Sequence, residues 1–147
     1  MSVEQNKAII LRWIDVWNTG ELEPLEEIIA PDYVRHGEGT TLRPESGPEW
    51  YKQQIAGARR AMPDFHVTTE DLIAESDRVV GRWSWGGTRE GQATTPWGAT
   101  VESAGKQVKR TAMTITRLAD GKIAEEWWQL DRLEEWQQLG AIPSPSG

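Results

Sequence analysis

The sequence has no cysteine, one phenylalanine, two tyrosines and three methionines. Without cysteine there is no disulfide framework and no thiolate nucleophile. Positive charge is scarce as well: 16 Lys and Arg face 23 Asp and Glu, for a net charge of −7. A nucleic-acid binder needs a basic stripe to neutralise phosphates, and the basic residues here are scattered, with Arg59-Arg60 placed on an exposed helix face. No apolar run approaches the ~18 residues of a membrane span. The N-terminus lacks the basic-then-apolar pattern of a secretion signal. The two histidines, His36 and His66, have no ligand-like spacing, so no metal site is expected. These absences point to a soluble cytoplasmic protein with neither a nucleic-acid nor a membrane partner.

What the chain has instead is tryptophan, nine in 147 residues. Each indole buries roughly 150–250 Å² and seeks a partner for its N–H, so much of the apolar area sits in a few large side chains. The length suits one domain, residues 1–141, followed by a Pro- and Ser-rich flexible tail at 142–147.

In order, Ile10, Trp13, Ile14 and Trp17 repeat at helical spacing and predict a first helix over 3–19, stopped at Gly20. A short second helix follows, with Pro24 near its start, Leu22, Leu25, Ile28 and Ile29 inward, and Pro31 at its end. Asp32–His36 reads as extended and leads into a Gly-rich loop. Ser46-Gly47-Pro48-Glu49 is a capping-box pattern that opens a third helix with Tyr51, Ile55, Ala58 and Met62 inward. Strands are expected at Phe65–Ile73, Arg78–Thr88 and Gln107–Leu118, with a loop from Arg89 to Lys106.

The last stretch, Asp120–Gly140, begins with an Asp-Gly turn, continues as a strand over Ile123–Asp131 and changes into a helix. One strand face carries Ala124, Glu126, Trp128 and Leu130, and the other carries Ile123, Glu125, Trp127, Gln129 and Asp131. A three-residue loop of Ala119, Asp120 and Gly121 would pair Trp128 with Ala112 and Glu126 with Thr114. A two-residue loop, which would set Ile115 against Glu126, is the poorer match. Three helices followed by a long antiparallel sheet give an α+β order.

The segments WIDVWNTGELEPLEEIIAPDYVRH, MPDFHVTTEDLIAESDRVVGRW and TITRLADGKIAEEW resemble the SnoaL-like polyketide cyclases of the nuclear transport factor 2-like superfamily. The resemblance spans roughly Lys7 to Gly140. It implies a cone, a curved sheet wrapped round helices with a pocket inside, and ring closure by an intramolecular aldol reaction with no cofactor. It places the family's acid/base Asp on Trp128 and a pocket amide on Ala112. The Asp, Arg and Asp of limonene-epoxide hydrolases fall on Trp128, Trp83 and Trp85, so that chemistry is not implied. It also implies that Trp83, Trp85, Ala112, Thr114, Glu126 and Trp128 face the pocket.

Three indoles on one cavity suit an aromatic or polycyclic ligand, and Trp17 joins them as a substrate-binding residue. Glu126 is the candidate catalytic carboxylate, since desolvation among indoles raises its pKa toward neutrality. His36 is a second catalytic candidate, with Arg35 as the alternative if the facing shifts by one. Arg110 shares the pocket face and is suited to a substrate carboxylate or enolate, or to a wet position at the rim. The expected function is cofactor-independent cyclisation, or a related isomerase or lyase step, on an aromatic carbonyl compound. A hydrolase or dehydratase, or a non-catalytic small-molecule carrier, is the alternative. The apolar outer face of the last hairpin, Met113, Ile115, Ile123 and Trp127, predicts a homodimer.

Overall fold

The computed structural model describes residues 1–145. Helix α1, Val3–Thr19, starts at Ser2, whose hydroxyl accepts from the Gln5 N–H while the Gln5 side chain bonds back, a complete capping box. It ends where Gly20 adopts φ 76°. Helix α2, Leu25–Ile28, runs straight into strand β1, Ile29–Gly37. Pro31 therefore does not follow the helix as a stop but sits, exposed, in the irregular part of β1, where its missing N–H costs no ladder bond. Strand β2, Thr40–Leu42, folds back on β1. Helix α3, Gly47–Ala61, opens at Ser46, whose side chain accepts from the Glu49 N–H. Gly47 allows that opening to press on β1: a Cβ there would lie 2.2 Å from the Ala30 carbonyl oxygen.

The long strands follow as β3, His66–Glu75, and β4, Arg78–Thr88. The expected loop over 89–106 contains a small hairpin of β5, Gln92–Thr94, and β6, Thr100–Glu102. Strands β7, Gln107–Ala119, and β8, Lys122–Leu130, lead to helix α4, Arg132–Gln138. The main sheet has the order β2-β1-β8-β7-β4-β3, antiparallel except where β1 runs parallel to β8. It is a curved, open α+β sheet with α1 and α3 against its inner face, as expected of the cone. Arg59 of α3 donates to the carbonyls of Trp17 and Asn18 at 3.1 and 3.0 Å, so it is a cap on α1 and not a free surface cation.

The terminal hairpin corrects the expected register. Ala119 pairs with Lys122, so the loop is the two-residue Asp120-Gly121, both at positive φ (51° and 75°). The ladder then skips Ala124: Leu118 faces Ile123, but Arg117 faces Glu125. This bulge shifts the pairing by one, setting Glu126 opposite Thr116 and Trp128 opposite Thr114. The inward set stays inward although each partner lies two residues from the expected one. The bulge also buries Ile123 and Ala124 together, which removes Ile123 from the outer patch.

At the C-terminal end Ile142 packs against the core and its N–H bonds the Trp136 carbonyl at 3.3 Å, so the expected tail begins after it. Ser146 and Gly147 of that tail lie outside the described residues. No helix among the described residues is long and apolar enough to cross a membrane.

Candidate functional site: an indole-walled cavity above a buried glutamate

Helices α1 and α3 and the inner face of the sheet enclose a cavity of about 520 Å³, within the range that takes a drug-sized ligand. Trp17, Trp83, Trp85 and Trp128 of the expected set line it, joined by Trp13, Trp50 and Phe65. Trp13 is the hub of this aromatic wall, meeting Trp83 and Trp128 edge-on with centroids 6.1 Å away in each case. Such edge-to-face pairs add about 0.5–1.5 kcal/mol each beyond area burial and fix the ring planes. Trp83 lies across Gly81, where a Cβ would come within 1.9 Å of its ring, and donates through Nε1 to Thr114 Oγ1 at 2.9 Å. Thr114 and Ala112 are thus beneath Trp83 in the core and do not line the cavity. Thr114 supports a wall residue instead of meeting a ligand.

Glu126 points inward as expected but sits below the cavity, 0% exposed. Its Oε2 accepts from Tyr33 Oη at 2.5 Å, from Tyr51 Oη and from Trp128 Nε1 at 3.1 Å. Thr116 Oγ1 donates to Oε1 at 3.3 Å. Burial pushes its pKa up, and the four donated hydrogen bonds oppose that without reversing it. The two phenols are pushed well above their ordinary value, first by burial and then by the neighbouring carboxylate. Tyr51 also lines the cavity and so joins Glu126 to it. Neither tyrosine was among the expected site residues. Tyr51 showed in the sequence only as a member of a helical core stripe, and Tyr33 had no signal beyond sharing a strand face with Arg35.

His36 lies on the other side of the sheet. Its Nε2 is 2.7 Å from Glu125 Oε1, its Nδ1 is 3.0 Å from Thr41 Oγ1, and its ring stacks on Trp127 at 5.2 Å. It does not reach the cavity, because strand alternation gives that face to Tyr33 and Arg35. The alternative, Arg35, is the cavity residue, with its guanidinium 5.4 Å from the Trp128 ring centroid. Arg110 lines the cavity too and is paired, since it donates to Glu135, which is itself almost wholly buried. Burial lowers the Arg110 pKa against that pairing. Among the described residues no cluster of His, Asp and Glu has the makings of a metal site.

Residues 7–139 match the sequence family described as SnoaL-like polyketide cyclase. The chain belongs to the SnoaL-like polyketide cyclase family. Among solved structures it is similar to AclR of Streptomyces galilaeus, provisionally assigned as a hydroxylase, with 25% identity, a TM-score of 0.82 and coverage of 99% of this chain and 87% of that one. A protein of Acidithiobacillus ferrooxidans, provisionally assigned as a polyketide cyclase, is 29% identical with a TM-score of 0.75 over 96% of this chain and 99% of its own. IdmH of Streptomyces antibioticus, with the same provisional assignment, is 27% identical with a TM-score of 0.74 over 92% of this chain and 99% of its own. No curated protein matches the sequence. In this SnoaL-like chain the indole of Trp128 is hydrogen-bonded to the inward acid Glu126, two residues earlier on β8.

Proposed function

We propose that this SnoaL-like protein catalyses a cofactor-independent acid/base reaction, an aldol-type ring closure or a related isomerase or lyase step, on an aromatic or polycyclic carbonyl compound held in the indole-walled cavity. The observation that carries the reading is the Glu126–Tyr51 pair: a carboxylate with a raised pKa, joined by one hydrogen bond to a phenol whose ring borders the cavity. In ring closure a proton leaves the carbon next to a carbonyl, and the enolate then attacks a second carbonyl. Tyr51 takes that C–H proton as it passes its own to Glu126, and the alkoxide formed by attack recovers it by the reverse path. Nothing is oxidised or reduced, and product and substrate are isomers. A Glu with a raised pKa accepts a proton more readily than a solvated one, and Tyr33 holds both partners in place.

The test is turnover of an aromatic β-polycarbonyl compound. Glu126→Gln keeps the shape and removes the base, and Tyr51→Phe removes the relay, so each should lower the rate by roughly 10²–10⁴ with ligand affinity little changed. Full activity in both variants would mean that the acid/base group lies elsewhere.

A second reading, a non-catalytic carrier of the same ligand class, is favoured by one observation. Glu126 has four donors and no exposure, so its hydrogen bonding is saturated without a substrate. Binding without turnover by the parent protein would select it.

The expected homodimer belongs here too. Ile73, Val80, Met113 and Ile115 are exposed on the outer face of the sheet, whereas Trp127 is sandwiched between His36 and Arg78. Light scattering should give twice the monomer mass at micromolar concentration, and Met113→Glu should halve it.

A further inference from the structure

Among the described residues the buried side-chain atoms left unpaired are all donors, and all lie on side chains that border the cavity. They are Trp13 Nε1, Trp17 Nε1, Arg89 Nε and Arg110 Nε. Buried orphan donors are rare because each forfeits a hydrogen bond it had in water. Four such donors on side chains that border one cavity, with no orphan acceptor beside them, give the cavity wall a surplus of donors.

The charges agree. Arg35, Arg89, Arg110 and Arg132 all line the cavity, and Glu38 is its one acidic lining residue. Glu38 lies 3.6 Å from Arg35 and 2.5 Å from Arg132, and Glu135 bridges Arg132 and Arg110 from behind. Four guanidiniums against two carboxylates leave positive charge in surplus, inside a protein whose net charge is −7. Arg89 has no acidic partner among the described residues and bonds only the Gln92 carbonyl, at 3.3 Å. Arg132, its side chain 42% exposed, marks the side open to solvent.

We propose that the ligand of this cavity is an aromatic carboxylic acid bound as its anion, with the carboxylate held by Arg89 and Arg110 and the ring system against the indoles. This rests on the reading of the cavity as a ligand site and adds the chemical class. The carboxylate supplies acceptors to the guanidinium donors and brings the local charge close to balance.

The experiment uses 2-naphthoate and its neutral counterpart 2-naphthamide, with binding read from quenching of tryptophan fluorescence. The carboxylate should bind about tenfold or more tightly than the amide. Arg89→Gln and Arg110→Gln should each remove most of that preference, with carboxylate affinity falling far more than amide affinity. Removal of Arg110 leaves the buried Glu135 with Arg132 as its one ionic partner, so Arg89→Gln, which breaks no ion pair, is the variant that decides if Arg110→Gln does not fold. Equal affinity for the two probes, or a preference that survives in Arg89→Gln, overturns the assignment of an anion while leaving the indole slot intact. Failure of both probes to bind overturns the slot itself and this inference with it.

Discussion

Glu125 and Glu126 follow each other along β8, and their side chains leave the sheet on opposite faces. On the outer face the partly exposed Glu125 accepts from His36 and from Arg117 Nε, the latter at 3.1 Å, and these partners, His36 foremost, hold its pKa below the ordinary value. On the inner face Glu126 has only uncharged donors and no exposed surface, and burial holds its pKa above the ordinary value. Side chains of identical chemistry, one residue apart, are driven in opposite directions by what the pleat turns them toward. Cations permit ionisation on the wet face, whereas phenols and indoles on the dry face hold the carboxyl in place without neutralising it. That contrast makes the inner residue a candidate for proton transfer and the outer one a fastener between strands.

The contrast can first be broken through packing. Trp83 and Arg82 are adjacent on β4 and face opposite ways. Trp83→Ala opens the aromatic wall and should cost about 3–5 kcal/mol in denaturant unfolding. Arg82→Ala removes an exposed ion pair with Asp71 and should cost less than about 1 kcal/mol. Similar losses from the two would deny that the inner face carries the stability.

A smaller effect sharpens it electrostatically. Glu126 has a raised pKa in the folded protein, so its contribution to stability is greatest below the unfolded value of about 4.3 and is lost as pH rises through the folded value. Glu126→Gln escapes that loss, and its stability relative to the parent should improve as pH rises from acid to neutral. Glu125 has a lowered pKa, so its contribution is present above the unfolded value and is lost as pH falls through the folded one. Glu125→Gln should therefore be the less stable at neutral pH, by under about 1 kcal/mol for a partly exposed pair, and approach the parent in acid. Unfolding midpoints across pH 3–8, buffer by buffer, read both trends.

Much of this was legible in the sequence because it follows from period. The 3.6-residue stripe of α1, the Gly20 stop, the alternation that turns Glu126 and Trp128 inward and the cone itself all follow from spacing or resemblance. The register was not legible. The choice between a two- and a three-residue turn was judged on a regular ladder, and the bulge at Ala124 restored the pairing phase that a two-residue turn alone would have lost. The fate of His36 turned on a single residue of strand phase, which Pro31 and the irregular start of β1 obscured. The hydrogen bonds of Tyr33 and Tyr51 to Glu126 join positions 93 and 75 residues apart, a distance over which neither composition nor periodicity gives a signal. Of the arginines at the cavity, Arg110 and, as an alternative, Arg35 were legible from strand facing, whereas Arg132 of α4 and Arg89 just past β4 were hidden for the same reason.

The most direct measurement is a carbon-13 titration of the glutamate side-chain carboxyls, with Glu125→Gln and Glu126→Gln used to assign the two resonances. The account predicts that Glu126 titrates above the ordinary glutamate range and Glu125 below it in the same sample. A Glu126 resonance that titrates at or below the ordinary value would contradict it, because the inner carboxylate would then be as fully ionised as its neighbour and no better suited to take a proton.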